Sequence, residues 1–155
     1  MSEELKFDPQ AAHKHFAAAC FNRTWKLLEK TDRDEHEDQQ MLNLAISSLW
    51  HWTQRADCTD TNLSVGYWLA SRVNASLGRA DEARRYGRLS LAASQGREVP
   101  PFYLGYAYEA LARAESVGGD RRRSAEFLAE ARRVAGTVPD EESRKLLLAD
   151  LETIV

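Results

Sequence analysis

Histidine and cysteine are side chains that commonly bind metal ions or act in catalysis, yet their spacing in this chain predicts no local catalytic or metal site. A di-metal centre in a helical bundle needs Glu-x-x-His pairs, and none of the four histidines has a glutamate three positions before it. His13 and His15 would point about 200° apart on a helix, a poor chelate. No His-Glu-x-x-His, paired Cys-x-x-Cys or phosphate-binding glycine loop occurs. We therefore predict no metal, no cofactor, no catalytic residues and no enzymatic activity.

Trp50, His51 and Trp52 form the most conspicuous cluster of aromatic side chains. Successive helical residues point about 100° apart, so both indoles cannot occupy one narrow core stripe. We expect one tryptophan to pack inward and the other to cover a neighbouring hairpin, with His51 at the boundary between them. A ligand-binding role for the cluster is the alternative interpretation.

Length, composition and charge limit the classes of protein that must be considered. A chain of 155 residues with 43% hydrophobic content can bury one core, which predicts a single domain over residues 1–155. The net charge of -3 and the single basic run, Arg121–Arg123, argue against nucleic-acid binding. No apolar stretch approaches the roughly 20 residues of a membrane span, and the polar segment Met1–Lys6 does not resemble a signal peptide. We therefore expect a cytoplasmic protein with no membrane partner, in which Cys20 and Cys58 stay reduced.

The hydrophobic pattern is helical from end to end and predicts an all-α protein. Asp8 and Pro9 are typical of a first helix start, as an N-cap and a first helical residue. Gly78, Gly96 and Gly119 stand where helices are expected to stop, and Gly96 is expected to adopt the left-handed conformation. These signals predict three helical hairpins and one terminal helix, at about residues 8–56, 61–95, 100–135 and 140–154.

Two segments of the chain resemble the tetratricopeptide repeat (TPR). Leu104-Gly105-x-x-Tyr108 is similar to part of the first-helix signature of that family, and Ser124-x3-Leu128-x2-Ala131 to its second helix. The preceding hairpin matches the family in its turn, at Leu77-Gly78, and in its second helix, at residues 81–83. Small residues replace the first-helix signature in that hairpin. The resemblance implies a right-handed stack of three antiparallel helical hairpins with a C-terminal capping helix. Small uncharacterised bacterial proteins of the same helical type are also similar.

The chain departs from the family pattern in two places. Gly78 and Gly119 lie farther apart than one repeat, which predicts a fifth helix about two turns longer than the family norm. The first hairpin, residues 8–56, carries no recognisable repeat signature. The resemblance therefore covers roughly the C-terminal two thirds of the chain.

The resemblance implies a concave groove lined by the first helix of each hairpin, where a partner binds. Carried onto this sequence, it places Trp68 and Arg72 from the third helix in the groove. The fifth helix contributes further aromatic and charged residues, and the first helix contributes one polar residue. An aromatic and arginine surface of this kind suits a peptide or protein partner. The remaining candidate groove residues are Asn22, Tyr103, Tyr106, Glu109 and Arg113.

Each candidate groove residue has a plain structural alternative. Trp68 and Tyr106 can fill space between hairpins, and Glu109 with Arg113 is an i,i+4 pair that commonly only decorates a helix. Two other functions also fit the sequence. One is a small enzyme or metabolite-binding protein with a closed polar pocket between the helices. The other is a self-associating structural protein, for which Leu146–Leu148 and the apolar end of the chain predict a homodimer through the terminal helix.

Overall fold

A computed structural model describes residues 6–155, and every regular element in that range is an α-helix. No strand occurs among these residues, which confirms the all-α prediction. The helices are α1 (Pro9–Glu29), α2 (Glu35–Gln54), α3 (Asp60–Ser76), α4 (Ala80–Ser94), α5 (Pro101–Val117), α6 (Arg121–Ala135) and α7 (Glu141–Glu152).

Side-chain caps fix most of the helix starts. The Asp8 carboxylate accepts a 2.9 Å hydrogen bond from the amide of Gln10, and Pro9 occupies the first helical position, as predicted. Asp120 caps α6, again as predicted, by accepting from the amide of Arg123. Each cap satisfies an amide that has no partner inside its helix, which stabilises the helix by about 1 kcal/mol.

Two glycines end helices in the left-handed conformation. Gly78 follows α3 with φ of 73°, and Gly119 follows α5 with φ of 84°. The prediction that Gly96 is left-handed was wrong. The chain leaves α4 through Gln95 in the right-handed region, and the amide of Val99 then bonds the carbonyl of Gly96, a turn that needs no positive φ.

The fifth helix, which was predicted to be about two turns longer than the family norm, has the same length as the third helix. Helix α5 has 17 residues, as does α3. Residues 95–100 connect α4 to α5, so the wide spacing of Gly78 and Gly119 includes this connection. The extra length therefore does not lie in α5 alone.

The chain divides into two compact units. The first ends at Cys58, and the second begins at Thr59. In the first unit, α1 packs on α2 around Ala17, Met41 and Ala45, which are at most 2% exposed. A buried hydrogen bond of 2.8 Å from the hydroxyl of Ser48 to the carbonyl of Ala17 joins the two helices. The first hairpin therefore has a small core of its own, whereas the single-domain organisation stays a prediction.

In the second unit each helix packs on the next, from α3 to α7, and α5 is the central element. It contacts α3, α4, α6 and α7. Its residues Tyr106, Ala110 and Leu111 are buried, and Leu147 and Leu151 of α7 join the same core. Helix α7 covers α5 and α6 with one face, because Leu147 is buried while its neighbours Leu146 and Leu148 are exposed.

Small residues allow close helix packing within the second unit. A β-carbon on Gly87 of α4 would lie 2.9 Å from Leu111, and one on Gly105 of α5 would overlap Leu147. The hydroxyl of Ser71 donates a 2.7 Å bond to the carbonyl of Ala83, across α3 and α4. Close backbone approach thus depends on residues with little or no side chain.

Candidate functional site

The candidate site lies in the second unit, where α3 and α5 face each other. Six of the seven predicted groove residues occur there, two on α3 and four on α5. Asn22 lies on α1 in the first unit, where it is exposed. The site residues of the second unit are Trp68, Arg72, Tyr103, Tyr106, Glu109 and Arg113.

Glu109 is the centre of this arrangement, with none of its side chain exposed. Its Oε2 accepts a 2.8 Å hydrogen bond from the indole Nε1 of Trp68. Its Oε1 accepts bonds from Nη1 of Arg72 at 3.0 Å and from Nε of Arg113 at 2.8 Å. A buried carboxylate with three donors is well satisfied, so Glu109 fixes the positions of three large side chains at once.

This burial changes the expectation for Glu109. The sequence places Glu109 in the groove facing a partner, but the structure places its carboxylate beneath the arginines and the indole. The Glu109–Arg113 pair is therefore not an isolated ion pair on a helix surface, because it is part of a buried network between helices. Among the charged side chains of the site, Arg72 and Arg113 retain exposure, at 22% and 15%.

Arg113 connects the site to α7. Its Nη2 donates to the hydroxyl of Thr153 at 2.7 Å and to the main-chain carbonyl of Asp150 at 3.3 Å. With Nε bound to Glu109, most of this guanidinium is committed to the protein itself. Arg113 thus acts mainly as a link between α5 and the end of α7.

Arg72 donates fewer hydrogen bonds to the protein than Arg113 does. Only its Nη1 donates to an acceptor in residues 6–155, namely Glu109, so Nε and Nη2 have no acceptor in that part of the chain. Burial lowers the pKa of Arg72, and the Glu109 carboxylate opposes this effect. A guanidinium stays protonated at neutral pH despite such a shift. Arg72 therefore offers a fixed positive charge with donors to spare.

Tyr106 and Asp150 form a second polar contact at the same place. The Tyr106 hydroxyl donates a 2.5 Å hydrogen bond to the Asp150 carboxylate on α7. Burial raises the pKa of Tyr106 well above its usual range, and the bond to Asp150 adds to the effect. The phenol is therefore a protonated donor at any ordinary pH. Sequence reasoning missed Asp150 and Thr153, because only the fold brings α7 to this face.

Aromatic rings line the site beside the charges. The rings of Trp68 and Tyr106 meet edge to face at 5.4 Å, and Tyr106 meets Phe102 in the same way at 5.0 Å. Phe102 also contacts Tyr103 at 5.3 Å. Such edge-to-face pairs favour one arrangement of the rings. The site thus combines a rigid aromatic cluster with Arg72, whose guanidinium is held in place by Glu109.

A second buried carboxylate on α5, Glu115, pairs elsewhere. Arg84 of α4 donates to it twice, from Nε at 2.7 Å and from Nη2 at 3.2 Å, and also donates to Asp81 at 2.8 Å. Glu115 is 1% exposed, and Arg123 of α6 lies 3.9 Å from it. This forked pair joins α4 to α5, and we assign it to the stability of the fold.

The aromatic cluster of the first unit differs in part from the expectation. Neither tryptophan is fully buried: Trp50 is 53% exposed, and Trp52 is half-buried with the guanidinium of Arg55 over its ring at 4.0 Å. His51, which lies between them in the sequence, is half-buried, as expected for a boundary position. Its Nδ1 lies 2.9 Å from Nδ1 of His13 on α1, a contact between residues 38 positions apart that no sequence pattern reveals.

Within residues 6–155, no cluster of three or more His, Cys, Asp or Glu side chains is arranged to hold a metal ion. Neither cysteine in this range forms a disulfide. None of the helices there is sufficiently long and apolar to span a membrane.

No protein-family model, no curated protein and no solved structure matches this chain. Its TPR-like character therefore stays a prediction from the residues, and the geometry of the site has to carry the functional argument.

Proposed function

We propose that this chain is a non-catalytic, TPR-like interaction module that binds a peptide or protein partner at the α3–α5 face. The left-handed glycines at 78 and 119 and the small residues between helices support hairpins of the TPR type. The packing of α7 on α5 and α6 supports a capping role for the last helix.

The single observation that carries this proposal is that the buried carboxylate of Glu109 holds the side chains of Trp68 and Arg72 in place through hydrogen bonds. Bonds of 2.8 and 3.0 Å hold an indole and a guanidinium, one helical turn apart on α3, before any partner arrives. Binding to side chains already held in place costs little conformational entropy. Tryptophan, tyrosine and arginine are also the residue types that contribute most to protein interfaces. The site is therefore suited to recognition.

The unused hydrogen-bond donors of Arg72 indicate the chemistry of the partner. Arg72 retains donors beyond its bond to Glu109, and a planar guanidinium pairs best with a carboxylate. The neighbouring rings of Trp68, Phe102 and Tyr103 offer an apolar surface beside it. We propose an acidic peptide segment, whose carboxylate binds Arg72 and whose apolar side chain packs on the aromatic cluster.

A peptide array tests this proposal. Labelled full-length chain is incubated with fifteen-residue peptides that contain Asp or Glu next to an aromatic residue, and with matched Asn or Gln peptides. We expect the acidic members to bind, with affinities then measured by fluorescence anisotropy. Arg72→Gln should weaken binding about tenfold, whereas Arg88→Gln, at an exposed arginine of α4, should leave it unchanged.

Two outcomes would count against a peptide-binding groove. Equal binding of acidic and amide peptides, or equal affinities of the wild type and Arg72→Gln, would show that Arg72 does not contribute to recognition. Tighter binding of a small dicarboxylate such as succinate than of any peptide would favour the metabolite-binding function instead.

A further inference from the structure

The helical hairpin of the first unit brings two histidines together through their Nδ1 atoms. His13 of α1 and His51 of α2 approach to 2.9 Å between these nitrogens, with ring centroids 5.1 Å apart. Both side chains are half-buried. A hydrogen bond at this distance requires one Nδ1 to carry a proton and the other to present its lone pair. Two imidazole nitrogens thus share one small volume at the edge of the hairpin.

The surroundings of this pair are aromatic. Trp50 meets both imidazoles, at 5.5 Å from His13 and 5.0 Å from His51, and Phe16 lies 5.5 Å from His51. Partial burial and the nearby His13 lower the pKa of His51, which favours its neutral form. A neutral imidazole is the form that binds metal ions.

We propose that His13 and His51 together bind one divalent transition-metal ion through their two Nδ1 atoms. A bond of about 2.0–2.1 Å from metal to nitrogen places two adjacent ligands about 2.9 Å apart at a right angle and about 3.3 Å apart at a tetrahedral angle. The observed separation of the two nitrogens, 2.9 Å, therefore changes by at most a few tenths of an ångström. The rings must also turn, because centroids 5.1 Å apart place the two Nδ1 atoms pointing almost directly at each other. Rotation about the side-chain bonds of the two histidines supplies this turn.

The proton balance of this binding is simple. In the metal-free pair, one neutral ring carries its proton on Nδ1. On metal binding that proton moves through solvent to Nε2 of the same ring, so that both Nδ1 lone pairs reach the metal. Water completes the coordination sphere, because the site has two protein ligands. Imidazole ligands favour Zn²⁺, Ni²⁺ and Cu²⁺, with Cu²⁺ the tightest in the ordinary affinity order.

Calorimetric titration of the full-length chain with Zn²⁺ alone, and separately with Cu²⁺ alone, tests the proposal. The chain is first treated with a chelator and exchanged into buffer at pH 7.5. We expect one site per chain, with a dissociation constant of Zn²⁺ below about 100 µM and tighter binding of Cu²⁺. His13→Gln and His51→Gln should each weaken Zn²⁺ binding at least tenfold.

Matched controls come from other potential ligands. His15→Gln and His36→Gln change exposed histidines on α1 and α2, and Cys20→Ser changes a thiol on α1. Each should keep the wild-type affinity. Nuclear magnetic resonance of the imidazole nitrogens in the wild type gives a second readout that needs no variant. Zn²⁺ should shift the Nδ1 signals of His13 and His51 together.

The overturning results are equally specific. The proposal is wrong if neither ion binds below about 100 µM, or if the variants at His13 and His51 bind like the wild type. It is also wrong if Zn²⁺ shifts the signals of other histidines while those two stay unchanged. Circular dichroism of each variant shows whether its helices are intact, and the wild-type spectra decide the matter where a variant does not fold.

Discussion

The indole nitrogen of Trp68 donates a 2.8 Å hydrogen bond to Glu109, whose carboxylate is fully buried between α3 and α5. This bond ties an aromatic side chain to a buried charge, and Arg72 and Arg113 balance that charge. Positioning of the exposed part of the site and stability of the second unit therefore depend on the same carboxylate.

Replacing Glu109 with Gln should destabilise the protein strongly. The amide keeps the shape of the side chain but removes the charge that pairs with two arginines, and it offers a single oxygen to three donors. We expect the free energy of unfolding to fall by about 3 kcal/mol, as measured by urea denaturation. Glu126→Gln is the control, because that pair with Arg122 is solvent-exposed and should contribute at most about 0.5 kcal/mol.

Arg84→Lys should cost stability even though the charge is kept. Lysine cannot reproduce the two bonds that Arg84 donates to Glu115 at 2.7 and 3.2 Å, so a buried carboxylate loses a partner. We expect a loss of about 1–2 kcal/mol in the free energy of unfolding. Arg85→Lys, at the next position, changes an exposed pair 3.5 Å from Glu82 and should be neutral. Equal effects of the two variants would show that the forked geometry is unimportant.

Gly105→Ala should disturb the contact of α5 with α7, because the new methyl group would overlap Leu147. We expect a loss of about 1–3 kcal/mol in thermal or urea unfolding. Leu147→Val removes the atoms in conflict, so it should be less harmful in the Gly105→Ala background than in the wild type. A coupling energy of about 1 kcal/mol in this double-mutant cycle is the expected result, and strict additivity would contradict it.

Tyr106 should make stability depend on pH in the alkaline range. Burial and the Asp150 carboxylate raise the pKa of Tyr106 in the folded chain, whereas the unfolded chain ionises near pH 10. A raised folded-state pKa gives a contribution that is complete below about pH 10 and is lost as the pH rises. Urea unfolding of Tyr106→Phe should therefore show a weaker alkaline decline than the wild type. Tyr103→Phe, on the same helix, should retain the wild-type profile.

Local signals in the sequence predicted the helices well because each signal acts within a few residues. Asp8 and Pro9 mark the start of α1, and Asp120 marks the start of α6. The exception, Gly96, shows the limit of such a rule, since an ordinary turn with negative φ also ends a helix there. A glycine permits the left-handed conformation but does not require it.

Spacing along the chain predicted which candidate residues share a helix face, but not how the helices pair them. Helical periodicity brings Trp68 near Arg72 and Glu109 near Arg113, because these pairs lie one turn apart. The pairing of Arg72 with Glu109 spans 37 positions, and that of Tyr106 with Asp150 spans 44. Such contacts depend on how helices pack, which spacing along the chain does not encode. The burial of Glu109 follows from this packing and was therefore missed.

Helix α5 carries two buried carboxylates, and their partners come from different helices. Glu109 is neutralised from α3 and from α5 itself, and Glu115 mainly from α4. If α3 and α4 detached while α5 to α7 stayed packed, Glu115 would lose Arg84 and Glu109 would lose both Arg72 and Trp68. Such a partly open form is costly, because it breaks both sets of ion pairs and exposes buried apolar side chains, such as Leu69 of α3 and Leu111 of α5, to water. The second unit should consequently unfold as one cooperative unit.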